Sequence, residues 1–139
     1  MTVAFTGTRR GLTRRQRDSL QVLLELLLDE GHTLFVHGDC IGADTEAHRL
    51  ANSLGFRIHI RPSTAATRAF NSGKVLLPAK SPLERNIDIV EEGDILVACP
   101  RHDKEITRSG TWHAVRSARK CQKRIIIVWP DGSRIEDNA

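Results

Sequence analysis

Aromatic residues are scarce in this chain: four Phe, two Trp and no Tyr among 139 residues. Proteins that hold single-stranded nucleic acid generally stack bases on exposed rings, so the scarcity weighs against that class. Cysteine is equally thin. Cys40, Cys99 and Cys121 are odd in number and scattered, which fits neither a disulfide framework nor a zinc pattern. No run of about 18 apolar residues exists, so no membrane-spanning helix is expected. The N-terminal "MTVAFTGTRR" places its basic residues after the apolar ones, the reverse of a secretory signal, and a cytoplasmic location is expected.

Several catalytic signatures are also missing. There is no HExxH or CxxC, and neither a dedicated metal nor a separate cofactor is expected. No Gly-x-Ser-x-Gly elbow and no Walker loop occurs. The stretch "GDCIGAD" fails the GxGxxG spacing and follows the second strand-like run instead of the first, which argues against a conventional NAD-linked dehydrogenase. The charge balance, 21 Lys and Arg against 17 Asp and Glu for a net +4, is a modest excess that permits an anionic partner.

What is present is an alternation. "TVAF", "HTLFVHG", "FRIHI", "DILVAC" and "RIIIVW" read as strands. Between them lie amphipathic stretches: Thr13 to Glu30, "GADTEAHRLANSLG", "SPLERNIDIVEEG" and "GTWHAVRSARKCQ". Thr13 and Gln16 have capping-box spacing, and Gly31 is a natural stop. Ser81, Pro82 and Glu84 form a second helix-start signal. The order β-α-β-α-β-loop-α-β-α-β predicts an α/β fold: a Rossmann-like, doubly wound parallel sheet of five strands in the order 3-2-1-4-5, as a single domain. Residues 1–130 form that domain and 131–139 a tail that reads as a turn and a loose end. The basic, irregular segment from Arg61 to Lys80 leaves three readings open: a lid, a partner contact or a disordered excursion.

In such a sheet, ligands bind beyond the carboxyl ends of the strands. Three segments fall there: "TGTRR", "HGDCIGAD" and the loop leading into "SGTWH". Each sets a glycine or hydroxyl beside a helix start, where unpaired N–H groups favour phosphate. Arg9 follows the first strand as a candidate phosphate fork. Asp44 and His48 lie four apart on one helical face. Asp44 is read either as a cap or as a hydrogen bond to a ribose hydroxyl, and His48 as a surface residue. Arg85 and Asn86 open the third helix within reach of the same edge. Cys40 is taken as a bystander and Trp112 as core.

Taken in order, "FTGTRR", "VHGDCIGAD", "ERNIDIVEEGDILVACP" and "SGTWHAVRSARK" resemble the SLOG superfamily, the Rossmann-like group of the DNA-processing protein A and Lonely Guy proteins. The resemblance runs from Val3 to about Trp129 and is nearest to small stand-alone members of the YspA-like or DUF2493-like kind. It implies a pocket for a nucleotide or nucleotide-derived ligand. It places ligand contacts on Gly7, Thr8 and Arg9; on Gly38, Asp39, Gly42, Ala43 and Asp44; on Arg85 and Asn86; and on Ser109, Gly110 and Thr111. It also implies a homo-oligomer, which the apolar breadth of "LQVLLELLL" accommodates.

One departure matters. Lonely Guy enzymes follow their Gly-Thr with paired glutamates, whereas this chain has His113 and Ala114 there. Hydrolysis of an N-glycosidic bond would then need His113 as acid or base, with Asp44 or Glu84 as the carboxylate; Arg85, His113 and Asp44 are the catalytic candidates. The reading favoured is a binding, sensing or sequestering module for a nucleotide-derived small molecule. A phosphoribohydrolase acting on nucleoside 5′-monophosphates and a single-stranded DNA binder are the alternatives.

Overall fold

In the computed structural model, which describes residues 1–137, strands and helices alternate as the sequence pattern requires. The elements are β1 (Thr2–Gly7), α1 (Arg14–Asp29), β2 (Leu34–His37), α2 (Ala43–Leu54), β3 (Arg57–Ile60), β4 (Lys74–Val75), α3 (Pro82–Glu92), β5 (Ile95–Cys99), α4 (Gly110–Lys120), β6 (Arg124–Val128) and β7 (Arg134–Glu136). They build one seven-stranded sheet of order β4-β3-β2-β1-β5-β6-β7. Every pairing is parallel except β6 with β7. No helix of the described residues is long and apolar enough to cross a membrane.

The five inner strands follow the expected order. The two outer ones correct the expected count. β4 is two residues of the 61–80 segment, pairing Lys74 with His59 and Val75 with Ile60; so short a strand leaves no periodic signal. β7 lies in the stretch expected to be loose. A turn closed by the Gly132 N–H on the Trp129 carbonyl (2.8 Å) folds it back on β6. There Arg124 grips the Glu136 carboxylate at 3.0 and 3.1 Å. All three β7 residues are exposed, which is why hydropathy does not reveal them.

The sheet separates two cores because strand side chains alternate. Val3, Phe5, Val97 and Val128 pack with α1 and α2, while Ala4, Leu96, Ala98 and Ile127 pack with α3 and α4. The capping box on α1 is formed, and its Gln16 does more than cap. The fully buried Gln16 amide donates to the carbonyls of Pro100 and Val128, both at 2.9 Å. The start of α1 is thereby fixed to the ends of β5 and β6.

The 61–80 segment is an ordered strap. Its anchor is Asp39, fully buried at the end of β2. The Asp39 carboxylate accepts from Arg68 Nε (3.0 Å), from the Phe70 N–H (3.1 Å), and from the N–H and Nδ2 of Asn71 (2.9 Å each). A second tie runs through two histidines. The Asp39 N–H donates to His37 Nδ1 (2.9 Å), so the His37 proton sits on Nε2 and is donated to His48 Nδ1 (3.0 Å). His48 then carries its own proton on Nε2, 3.4 Å from Ser72 Oγ. His48 is therefore buried, not on the surface as its sequence position led us to expect. A neighbouring imidazole offers it a polar partner inside.

Removing the anchor should free the strap and spare the sheet. For Asp39→Ala we expect amide hydrogen exchange at Phe70 and Asn71 to accelerate about 100-fold, the equivalent of about 3 kcal/mol for lost charge-assisted bonds. Protection in β1 and β5 should stay intact. Equal acceleration across the whole chain would contradict the strap's separate attachment.

Candidate functional site

The strand order reverses between β1 and β5, and a cleft of about 320 Å³ opens there, at the carboxyl ends of these strands. Glycine makes the approach possible. A Cβ on Gly38 would collide with the Arg85 guanidinium, and one on Gly42, which sits at φ +91°, would collide with the Arg9 backbone. The first lets an arginine lie against the end of β2. The second holds the loop after β1 close to the start of α2.

Arg85 is the centre of the arrangement. Ser81 caps α3 and Pro82 begins it, which turns Arg85 and Asn86 inward on the first turn. Arg85 Nη1 donates to the Gly38 carbonyl (2.8 Å) and Nε to Asn86 Oδ1 (3.2 Å), while Nη2 lies 3.7 Å from Cys40 Sγ. Asn86 Nδ2 continues the chain to the Gly110 carbonyl (3.3 Å). All these acceptors are neutral. Arg85 is only 7% exposed, yet it takes part in none of the ion pairs among the described residues.

Across the cleft, α4 begins at Ser109, whose hydroxyl accepts from the Trp112 N–H (3.3 Å). That leaves the Gly110 and Thr111 N–H groups as first-turn donors, which a helix never pairs internally. They carry the positive end of the helix dipole.

Asp44, in the first turn of α2, is the one carboxylate among the described residues that line the cleft. It accepts from the Cys40 N–H at 3.1 Å. Burial pushes its carboxyl up to about 6, against the pull of the Cys40 N–H and the nearby Arg85 charge. Burial, seconded by Asp44, also raises the Cys40 thiol, which is therefore neutral at pH 7 and a poor nucleophile.

The cleft brings together Gly7, Thr8 and Arg9, then Gly38 and Asp44, then Arg85 and Asn86, and finally Ser109, Gly110 and Thr111. Three expected contacts are not among its lining residues. Asp39 points the other way, into the strap. Gly42 is closed off by the Arg9 backbone, and the fully buried Ala43 packs beneath Gly7. His113, a catalytic candidate, also lies outside the lining; its Nδ1 is buried with no partner among the described residues. Glu84 stays on the surface, accepting from the Ser81 hydroxyl (2.7 Å).

Sequence reasoning missed Arg101, His102 and Arg108, which line the rim from the β5–α4 loop, and took Cys40, which also lines the cleft, for a bystander. Their one legible signal was position, between a strand end and a helix start. Trp112 is core as expected, 2% exposed and packed against Trp129 at 5.8 Å between ring centres. Among the described residues no three His, Cys, Asp or Glu side chains converge as a metal site would require.

The architecture is Rossmann-like. No family model matches the sequence, and no curated protein does. Solved structures share the fold. The molybdenum cofactor binding protein of the phototrophic bacterium Rippkaea orientalis aligns with a TM-score of 0.71 at 18% identity, over 92% of this chain and 76% of that one. The structural-genomics target TM1055 gives 0.67 at 16% identity, over 89% and 71%. The molybdenum cofactor carrier protein of Chlamydomonas reinhardtii gives 0.60 at 18%, over 91% and 74%. At these identities the likeness is one of fold.

The position of Asp44 generates a pH signature. Its folded-state value is raised, so the folded protein takes up a proton that the unfolded chain does not between pH 6 and the usual 3.8. Stability from this group therefore increases as pH falls through that window. Relative to Asp44→Asn, ligand-free wild type should gain about 1.4 kcal/mol per pH unit below pH 6. Urea unfolding of both proteins at pH 7, 6 and 5 measures it. Parallel pH profiles would show that Asp44 titrates normally.

Proposed function

We propose that this protein binds a phosphate-bearing, nucleotide-derived small molecule in the cleft between β1 and β5, and that it acts as a sensor or sequestering module. The observation that carries this reading is Arg85, a buried cation whose hydrogen-bond partners among the described residues are all neutral, opposite the first-turn N–H groups of Gly110 and Thr111 at the start of α4. A buried charge with no direct ion-pair partner, only the Asp44 carboxylate nearby in the same cleft, is costly, and an anion seated between Arg85 and those N–H groups would relieve both. Asp44 then accepts from a sugar hydroxyl of that ligand. Two of the fold neighbours are described as binding or carrying a cofactor, which agrees with a small-molecule role. The SLOG resemblance points to the same edge of the sheet.

Cleavage of an N-glycosidic bond has less support. Glycoside hydrolysis generally uses two carboxyl groups flanking the bond, and the cleft offers Asp44 alone. Single-stranded DNA binding lacks platforms, since Trp112 is buried and the exposed Phe70 sits on the strap under Arg68 (4.5 Å).

The test is calorimetric titration of a nucleotide panel, with AMP as reference, alongside mass spectrometry of whatever accompanies the purified protein. Arg85→Ala should weaken AMP binding at least tenfold, since a charge-assisted contact is worth about 1.5–3 kcal/mol. Base release from AMP by wild type would favour the hydrolase instead. Absence of any heat with phosphate-bearing ligands would end the reading.

A homo-oligomer belongs to the same proposal. Leu83 and Ile87, one helical turn apart on α3, are 56% and 42% exposed beside the cleft. We expect sedimentation to show a dimer or larger, and Ile87→Glu to shift it toward monomer; an unchanged distribution would exclude this face.

A further inference from the structure

We infer that the ligand carries a chain of at least two phosphoryl groups, the first seated on Arg85 and the α4 start, the next held by Arg101 and Arg108 on the β5–α4 loop with Arg9 opposite. The inference rests on the reading above that the cleft takes a phosphate-bearing ligand, and it specifies the class.

The ground is a count of charges. Arg9, Arg85, Arg101 and Arg108 line the cleft, and Asp44 is the carboxylate set against them. None of the four arginines joins an ion pair among the described residues. A phosphate monoester brings about −1.5 to −2 charges, less than the net cationic excess of the cleft, whose Arg9, Arg101 and Arg108 are exposed to solvent and to ligand alike. A second phosphoryl group closes the gap. Guanidinium forks suit such oxygens because they donate in pairs to neighbouring acceptors.

The loop that bears two of these arginines keeps its acids away from the cleft. Its Glu105 is turned toward α4, where Arg116 (3.3 Å) and Arg119 (2.9 Å) neutralise it. Arg116 pins the backbone as well, donating to the carbonyls of Ile106 (3.4 Å) and Thr107 (2.9 Å). Asp103 and Glu105 are both outside the cleft lining, whereas Arg101 and Arg108 are in it. The loop thus sets two of its three basic residues, Arg101 and Arg108, in the cleft lining, leaves Lys104 outside it, and neutralises an acid behind it.

The experiment titrates the full chain with inorganic phosphate, pyrophosphate, tripolyphosphate, AMP and ADP at fixed ionic strength. Pyrophosphate should bind at least tenfold more tightly than phosphate, and ADP at least tenfold more tightly than AMP. In the double variant Arg101→Ala/Arg108→Ala, both ratios should collapse to threefold or less. The control Arg14→Ala/Arg15→Ala, which removes two charges from α1, should leave the ratios unchanged. ADP binding more tightly than pyrophosphate places the chain on a nucleoside; a further gain with tripolyphosphate and none with ADP places it on an inorganic polyphosphate. Ratios below threefold in wild type, or ratios that survive the loop variant, overturn the inference alone. No binding of phosphate or AMP at all, or AMP binding untouched by Arg85→Ala, overturns the underlying reading and the inference with it.

Discussion

The site depends on one contact, the Arg85 guanidinium lying on the Gly38 carbonyl. It is possible because Gly38 has no side chain. Through Asn86 the same guanidinium reaches the carbonyl of Gly110. The end of β2, the start of α3 and the start of α4 are therefore registered by a single charged side chain. Desolvating a cation costs several kcal/mol, and three neutral acceptors offset that only in part. The nearby Asp44 carboxylate adds a coulombic attraction without a direct ion pair.

Two buried titratable groups lean in opposite directions on either side of this contact. Asp44 is raised, so its ionisation at neutral pH works against the fold. His37 is lowered to about 3, first by burial and then by the neighbouring His48. Its Nδ1 is already occupied by the Asp39 N–H, so protonation must break a bond that holds the strap. For a depressed histidine, stability is full above pH 6.5 and declines below it, with a slope of about 1.4 kcal/mol per pH unit. The gain from Asp44 below pH 6 opposes that decline. At pH 7 Asp44 holds the turn after β2 through the Cys40 N–H as a carboxylate whose burial works against the fold.

Much of this was legible in the residues. The apolar runs and the two helix-start signals at Thr13 and Ser81 carried the order of the inner strands, because parallel strands buried on both faces leave an unbroken hydrophobic trace. β4 and β7 were not legible, since one is too short to have a period and the other exposes every residue. At the site, Gly38, Arg85 and the α4 start were readable because backbone approach and helix termini demand particular residue types. Asp39 and Asp44 were not separable by type: both are aspartates in a glycine-rich turn, and only their direction distinguishes them. His48 misled for a related reason. A histidine one turn from an acid looks like a surface pair until a second imidazole, from β2, is placed beside it.

That difference of direction explains how one short stretch serves two tasks. Successive residues of an extended chain point to opposite sides. At the end of β2, His37 points into the interior toward α2. Gly38 offers its carbonyl to the cleft, and Asp39, held at φ +59°, sends its carboxylate back to the strap. The triplet thus joins the ligand contact to the strap through adjacent peptide units. A rotation of the Gly38 carbonyl would move the acceptor of Arg85 and, through the same backbone, the N–H that fixes the His37 tautomer. The cleft and the attachment of the strap thus share one peptide unit, the Gly38 carbonyl facing Arg85 and the Asp39 N–H facing His37.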